Sequence, residues 1–410
     1  MRNKKFVHLV GWALGIQVVI VLLGLLIPEM SDLQQFKNWV HWSYLAGIHQ
    51  AYSIPKFNYD WLPLYLYLCK PMGMVYHLSG AVETLGYWSW VLSFFLKMQM
   101  VVFHLISGAL VYGLCLYLKW TDQQARRAFL WYVFNPGIIV ATHILGFQDA
   151  LHTALVFGVL VALIKQRIFV LSTLVGLVLM SKPQAVIYLI PMGIYGVRKL
   201  GIKEILKGLL PGFLTVSVVL LPFIVYGQIE GVIDMYSGVS HVHEWVTGYA
   251  HNIWWFFQPV PPFMSDRTPL LMGFSALHIG LFLLFVLTVM VCVRLYRHTT
   301  DLFLLESCAF LGFVFCMVVT EIHENHLYAV FVFLIPLAVI DFRHRIYYGI
   351  LSVTFALNMG LAVYWIETQQ VVNAWFVRLD TVNALINVGV LIFWSIDFFT
   401  RHYGIKKDGV

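Results

Sequence analysis

The position of the charges relative to the apolar segments is the feature that most constrains this chain. Basic residues form short clusters, each at one end of an apolar segment. The clusters are Arg2 with Lys4 and Lys5, Lys119 with Arg126 and Arg127, Lys165 with Arg167, Arg198 with Lys199, Arg294 with Arg297, Arg343 with Arg345, and Arg401 with Lys406 and Lys407. Because positively charged loops stay cytoplasmic, we expect these clusters on the inner side. The opposite ends of the segments should then lie on the outer side of the membrane. The polar residues at those ends are Asp32, Asp60, Asp149, Lys182, Asn252 and Glu321 to Glu324.

Composition indicates an integral membrane protein. The chain has 410 residues, of which 60% are hydrophobic and only 11% are charged, too few charges to solvate a globule of this size. The net charge of +6 is explained by the cytoplasmic basic clusters, so no nucleic-acid partner is predicted. The five cysteines lack metal-ligand spacing and are interpreted as small buried hydrophobes. The sequence assigns no metal ligands and no cofactor, and it leaves dependence on a metal ion open.

Alternating apolar segments and turn residues predict an all-α, polytopic transmembrane bundle, with residues 1–410 as one domain. If each successive apolar segment crosses the membrane in the opposite direction to the one before, the chain has about twelve spans and both termini are cytoplasmic. The predicted spans are 6–27, 91–118, 128–142, 150–164, 168–181, 184–197, 206–227, 272–293, 302–320, 327–341, 346–365 and 382–400. We interpret the first as a retained helix, because no small-residue cleavage site follows it. Several middle spans are short, which predicts that they border a cavity.

Two long segments, 28–90 and 228–270, are predicted to be extracytoplasmic loops. In the first, Ser31 and Gln34 form a capping-box pattern at the start of an amphipathic helix. We expect this helix to lie in the membrane interface, anchored by tryptophans such as Trp39. A second helix start is predicted near Pro63, because proline suits a first helical turn.

Asp32 is the candidate general base. It follows the first span and lies in the first turn of the predicted interfacial helix, where the helix dipole favours an ionised carboxylate. Such a carboxylate at the water boundary can accept a proton from an alcohol. The alternative is that Asp32 only caps the helix.

Lys182 is the candidate phosphate ligand. The predicted order of spans places this lysine on the outer side, although lysine and arginine generally stay on the cytoplasmic side. We therefore expect an anion near it. A phosphate group is the natural candidate, because lysine binds phosphate as a point charge. The alternative is a lysine that extends to the lipid head groups.

The run from Glu321 to His326 places five polar groups at the outer end of one span. His323 and His326 have helical i, i+3 spacing, but the run is one residue short of the zinc-protease motif. We therefore favour phosphate recognition by His323, oriented by Glu324, over a metal site. An interfacial polar cap is the alternative.

Further polar residues are candidates for a sugar or acceptor cavity. Gln148 and Asp149 lie in a short outer hairpin with His143, although helix capping explains Asp149 equally well. In the second long loop, His241 and Asn252 are also assigned to the cavity.

These stretches resemble the GT-C superfamily of membrane glycosyltransferases that use polyprenyl-phosphate sugar donors. Within it, the chain is most similar to bacterial homologues of GPI mannosyltransferases and to the glucosyltransferases of the N-glycan pathway. The resembling stretches are Ser31 to Trp39, Tyr59 to Tyr65, Asn135-Pro136 with Gly146 to Asp149, Met180 to Gln184, Tyr249 to Trp255, and Ile322 to Asn325. The family's histidine and glutamate are followed by a lysine, and Asn325 stands in its place here.

The resemblance implies a catalytic base at Asp32 and a cavity role for Asp60 and Gln184. The expected reaction is inverting transfer of a hexose from a polyprenyl-phosphate donor to an acceptor hydroxyl of a cell-envelope glycan or glycolipid. The expected location is the extracytoplasmic face of the cell membrane, among membrane lipids. Lys182 and His323 would bind the donor phosphate.

A transporter or flippase of a lipid-linked saccharide is the competing class. Transporters usually place polar substrate ligands near the bilayer midplane on broken helices, often with repeat symmetry. Here the candidate residues collect at segment ends, and no repeat is visible in the sequence. A polytopic scaffold would not need these side chains on one face.

Overall fold

Apolar helices dominate the architecture of the protein. The computed structural model describes residues 2–27, 29, 31–86, 89–238, 244–257, 264–367 and 373–401. In chain order the α-helices of these residues are α1 (Arg2–Gly24), α2 (Ser31–Leu45), α3 (Leu66–Leu78), α4 (Ala81–Leu85), α5 (Trp90–Tyr117), α6 (Asp122–Val133), α7 (Pro136–Ile139), α8 (Asp149–Ile164), α9 (Ile168–Leu179), α10 (Val186–Leu200), α11 (Ile202–Val225), α12 (Ile229–Gly238), α13 (Ala276–Arg297), α14 (Asp301–Val318), α15 (Val330–Ile340), α16 (Phe342–Glu367) and α17 (Ala374–Thr400). A small antiparallel hairpin of β1 (Pro269–Leu271) and β2 (Phe274–Ser275) precedes α13.

Seven of these helices are long and apolar enough to cross a membrane: α1, α5, α11, α13, α14, α16 and α17. The bent pair of α6 with the segment from Pro136 to Leu145 would make an eighth span. Shorter apolar helices cover 149–164, 168–179 and 324–340. The predicted all-α membrane bundle is thus confirmed as a class, while about twelve spans and their orientation stay predictions.

Burial separates inner helices from outer helices. The most apolar window of α14 is 83% buried, whereas the corresponding windows of α1, α11 and α13 are each 17% buried. Outer helices expose large apolar side chains, such as Leu210 and Phe213 on α11 and Phe285 on α13. Contiguous exposed apolar faces mark contact with an apolar environment, so these faces suit lipid.

The chain bends between α6 and α7 and thereby carries the next loop towards one end of the bundle. The two segments meet at 44°, and Pro136 begins the second. Asn135 caps α7 by accepting from the backbone N–H of Ile138 at 3.1 Å. One π-helical turn, Val140–Leu145, follows and ends at Gly146, which has a φ of 84°. Glycine adopts this left-handed conformation without a steric penalty, and α8 begins three residues later.

The helices α9 and α11 approach each other through small residues. A Cβ atom added at Gly176 would lie 2.8 Å from the carbonyl oxygen of Gly212 and 2.9 Å from Cβ of Thr215. Gly208 and Gly212 of α11 also face Ser172 of α9. Small residues at such spacing let helix backbones pack closely inside a membrane.

We predict that Gly176→Ala loosens this contact. Overpacking of a tight site costs about 1–3 kcal/mol, so thermal unfolding of the purified protein in detergent should occur at lower temperature. Gly113→Ala in α5 is the matched control, because no atom lies within 4 Å of its added Cβ. There the better helix propensity of alanine should leave stability equal or higher. Equal effects of the two substitutions would refute the close contact.

Candidate functional site

A cavity of about 230 Å³ lies where several helix starts and loops meet. Its described lining comes from α2, the loop before α3, the residues just before α8, the loop between α9 and α10, α12, and the segment after α14. The lining residues are Asp32, Gln35, Phe36, Trp39, Asp60, Trp61, Leu62, Phe147, Lys182, Pro183, Gln184, Met235, Glu321, His323, Glu324, Asn325 and His326. Of the residues predicted from sequence, Asp32, Asp60, Lys182, Gln184, His323 and Glu324 therefore line one cavity.

Asp32 and Asp60 are positioned by packing between α2 and the loop that follows it. The indole N–H of Trp39 donates to the backbone oxygen of Asn58 at 3.0 Å, and Asn38 donates to that of Phe57 at 2.9 Å. These bonds hold the 55–60 segment against α2. Pro63 then begins a 3₁₀ turn that leads into α3, as the sequence predicts.

The structure corrects the expected environment of α2. The helix is present, but Trp39 is 1% exposed and packs against protein instead of anchoring at a lipid interface. Lys37, placed on the helical wheel among the polar residues, is fully buried, and its Nζ lies 2.5 Å from a carboxylate oxygen of Glu29. The reason is tertiary: the Trp39 ring packs against those of Tyr59 and Trp61 in the loop before α3, and α3 itself lies so close that a Cβ at Gly73 would overlap the backbone of Val40.

Lys182 lies in the extended residues between α9 and the 3₁₀ turn that begins α10. Its Nζ lies 2.8 Å from Oδ1 of Asp149 and 4.8 Å from the centroid of the Trp61 ring. Asn325 donates through Nδ2 to the other oxygen of Asp149 at 2.8 Å. The anion that sequence reasoning sought for Lys182 is thus already present in the protein.

The segment after α14 is held by the 244–257 loop. The backbone N–H of Gly248 donates to the oxygen of Ile322 at 2.8 Å, and that of Glu321 donates to the oxygen of Trp245 at 3.0 Å. His323 precedes the 3₁₀ helix Glu324–Ala329, and its backbone N–H donates to Nδ1 of His326 at 3.3 Å. Nε2 of the same His326 ring lies 3.1 Å from the amide nitrogen of Gln184.

Carboxylates outnumber cations in this cavity. Among the described lining residues, Asp32, Asp60, Glu321 and Glu324 face a single lysine, Lys182. Asp32 and Asp60 are exposed to the cavity, yet protein surrounds the cavity and excludes much of the bulk water. This loss of solvent, only partly offset by Lys182, raises the pKa of Asp32 and raises that of Asp60 to about 6.

The two glutamates hold protons more strongly. Burial, followed by repulsion from Asp32, raises the pKa of Glu324 to about 8. The pKa of Glu321 is also raised to about 8, mainly by burial and secondly by repulsion from the nearby carboxylate of Asp266. At neutral pH the cavity can therefore both accept and donate protons through carboxyl groups, as general acid–base chemistry requires.

Several polar atoms at the cavity lack a hydrogen-bond partner among the described residues. They are Oε1 of Glu321, Oε2 of Glu324 and Oδ1 of Asn325. Glu324 and Asn325 are each only 5% exposed, so these atoms also receive little bulk water. Buried polar groups are normally paired, so these three oxygens are exceptions among the described residues beside the cavity.

Other predicted residues lie away from the cavity lining. Gln148 is buried behind it and accepts from the Tyr65 hydroxyl at 2.7 Å. His143 is buried beside His104, and its ring packs against that ring at 5.6 Å.

Two further candidates belong to the second long loop. Asn252 caps a 3₁₀ turn by accepting from the backbone N–H of Trp254 at 3.0 Å, and its Nδ2 donates to the backbone oxygen of Cys316 in α14 at 3.4 Å, so its contacts are structural. His241 lies outside the described residues.

Sequence reasoning missed a buried network that holds the 244–257 loop on α16 and α17. Nε2 of His251 lies 3.0 Å from Oδ1 of Asp380, and the Trp365 indole donates to Oδ2 at 2.7 Å. Asn383 contacts Nδ1 of His251 at 2.7 Å. More than a hundred residues separate His251 from Asp380, and no local pattern signals that they meet.

Among the described residues, no group of three or more histidine, cysteine, aspartate or glutamate side chains has the geometry of a metal site. Comparison with models of protein families and with curated protein sequences gave no match.

We predict that Glu321 makes stability depend on pH. Its pKa rises from 4.5 to about 8 on folding, so the folded protein retains a proton that the unfolded chain releases. Stability should therefore fall as the pH rises through this window, and Glu321→Gln should reduce the fall. Thermal unfolding in detergent across the window measures the effect.

Glu230→Gln is the control for this experiment, because Glu230 is exposed on α12. It should reproduce the wild-type profile. A Glu321→Gln profile parallel to wild type would show that this carboxyl group does not titrate as described.

Proposed function

We propose that the protein is an inverting membrane glycosyltransferase that moves a hexose from a polyprenyl-phosphate donor to an acceptor hydroxyl. The observation that carries this proposal is a single cavity in which candidate base, cation and hydroxyl-binding groups meet. Asp32, Lys182 and His323 come from segments far apart in the chain and line the same space.

Asp32 is proposed as the general base. It is exposed to the cavity, and the loss of solvent there raises its pKa, which makes the carboxylate a stronger base than an ordinary aspartate. Asp32 takes the proton of the acceptor hydroxyl as the oxygen attacks the anomeric carbon. The bond from that carbon to the phosphate oxygen breaks, the phosphate leaves with the electron pair, and configuration inverts.

Lys182 and His323 are proposed to stabilise the leaving phosphate. A phosphate leaving group is already anionic, so it needs positive charge and hydrogen-bond donors more than a general acid. Lys182 directs one N–H towards Asp149, and a lysine ammonium has three such donors. The Asp149 contact therefore fixes the ammonium in place while leaving donors for phosphate.

The orientation in the membrane is also part of the proposal. The helix α10 runs from the Lys182 loop to Arg198 and Lys199, and α8 runs from Asp149 to Lys165. Cavity and basic clusters thus occupy opposite ends of the same helices. Because basic ends stay cytoplasmic, we propose that the cavity opens on the extracytoplasmic side and that the prenyl chain lies along exposed apolar faces such as that of α11.

We predict that Asp32→Asn lowers sugar transfer by about 10²–10⁴-fold, the usual contribution of general base catalysis. Purified protein in liposomes would be assayed with radiolabelled polyprenyl-phosphate hexoses and cell-envelope acceptors. Asp234→Asn is the matched control, since Asp234 is an exposed carboxylate on α12 outside the cavity lining.

Near-normal transfer by Asp32→Asn would remove Asp32 from the role of base. Movement of the labelled donor across the bilayer without sugar transfer would instead identify a transporter of lipid-linked saccharides.

A paired substitution separates the structural role of Lys182 from its catalytic role. Lys182→Met should destabilise the fold by about 3–5 kcal/mol, because it leaves the buried carboxylate of Asp149 unpaired. Adding Asp149→Asn removes that charge, so thermal stability in detergent should recover. Transfer activity should stay low in the double variant, because the phosphate still lacks its cation. Recovery of both stability and transfer would leave Lys182 with a structural role alone.

A further inference from the structure

A groove of about 380 Å³ runs between α10 and α13 at the C-terminal ends of both helices. Its described lining is Ile194 from α10 and Cys292, Val293, Tyr296 and Arg297 from α13. Apart from the guanidinium of Arg297, the lining consists of apolar side chains and one tyrosine. Val293 and Tyr296 are 46% and 52% exposed, so the other described segments leave the groove open.

The apolar surface of the groove continues along α13. Phe285, Val289, Val293 and Tyr296 follow one another at spacings of three or four residues and therefore share one face of the helix. All four side chains are exposed. This stretch covers about 16 Å of helix, and one leaflet of the hydrocarbon core is about 15 Å thick. One acyl chain can thus lie along this face for the depth of a leaflet.

Two arginines lie at the polar end of the groove. The guanidinium of Arg198, in the last turn of α10, lies 5.1 Å from the centroid of the Tyr296 ring. Arg297, in the last turn of α13, belongs to the lining itself. Stacking on a ring holds a guanidinium by its face and leaves the N–H donors in its plane for another ligand.

Protein carboxylates do not neutralise these two arginines, since neither forms an ion pair within the described part of the chain. The carboxylates at the starts of two adjoining helices already have partners. Glu204 of α11 pairs with Lys207 at 2.5 Å, and Asp301 of α14 accepts from the Tyr195 hydroxyl. The positive charge at the groove is therefore available to an anion from outside the chain.

Arginines of two other basic clusters are satisfied within the protein. Arg126 pairs with Asp122 at 2.6 Å, and Arg343 pairs with Asp397 at 2.6 Å. A basic helix end is thus not by itself a site for an external anion. The groove differs from these two ends because its arginines keep their charge beside an open apolar surface.

We propose that the groove binds an anionic glycerophospholipid, with one acyl chain on the exposed face of α13 and the head-group phosphate against Arg198 and Arg297. Arginine binds phosphate oxygens through paired N–H donors, and basic pockets between transmembrane helices are typical sites for acidic lipid head groups. The two unbalanced charges favour a lipid of net negative charge over a zwitterionic lipid. With the orientation proposed above, this lipid belongs to the cytoplasmic leaflet, and its binding does not depend on sugar transfer.

Native mass spectrometry of the purified protein, titrated with lipid in detergent, measures this binding. Dioleoyl phosphatidylglycerol and dioleoyl phosphatidylcholine are the probes, because they share acyl chains and a phosphodiester and differ in net charge. We expect the first phosphatidylglycerol to bind about 5-fold or more tightly than phosphatidylcholine. Arg198→Gln combined with Arg297→Gln should weaken phosphatidylglycerol about 10-fold or more and bring the two lipids to similar affinity.

Two further variants separate the groove from general charge. Lys4→Gln combined with Lys5→Gln removes the same charge from exposed residues of another basic cluster, at the start of α1, and should preserve the wild-type preference. Val293→Trp keeps the charge but fills the groove. Because Val293 is half exposed, the fold should tolerate the larger side chain, and both lipids should bind several-fold more weakly.

Equal affinity of the wild-type protein for the two lipids would overturn the proposal, as would an equal loss on substitution of Lys4 and Lys5. Unchanged affinity of the Val293→Trp variant would also overturn it, because the lipid would then lie outside the groove. Displacement of phosphatidylglycerol by an equal concentration of polyprenyl phosphate would identify a different occupant and overturn the assignment to a glycerophospholipid.

Discussion

The ion pair between Lys182 and Asp149 is the interaction on which the geometry of the cavity depends. It joins the start of α8 to the residues between α9 and α10, and Asn325 extends it to the segment after α14. The backbone N–H of Leu64 also donates to the oxygen of Met180 at 2.9 Å, so the loop before α3 is tied to the same place. Burying two charges is costly unless further hydrogen bonds satisfy them, and Asn325 supplies one of those bonds.

The arrangement gives a physical reason for an asparagine after His323 and Glu324, at position 325. In the structure the amide bonds to a carboxylate that Lys182 already neutralises. A second ammonium there would compete for the same anion, so a neutral donor completes the site without adding charge.

Hydropathy and charge were sufficient to predict the helical membrane class and the shared location of Asp32, Lys182 and His323. Those inferences depend on local composition and on the rule that basic ends stay on one side. Both can be assessed from the sequence alone. The burial of Lys37 and Trp39 could not be predicted, because Lys37 pairs with Glu29 and Trp39 packs on the loop before α3.

Contacts between residues far apart in the sequence also limited what could be predicted about the site. The sequence indicated that Lys182 needs an anion, but Asp149 lies 33 positions away, and helix capping explained that aspartate equally well. The separation of Asn252 from the cavity lining follows from its local cap, and such capping competes with a functional role for any asparagine near a helix start.

The glycine contact between α9 and α11 has a mechanical consequence. Two backbones in direct contact have no flexible side chains between them to absorb a displacement, so α9 and α11 pack as one rigid pair. The helix α11 exposes most of its surface, and α9 ends three residues before Lys182. The contact therefore joins the residues that lead to Lys182 to a helix whose apolar surface is largely exposed.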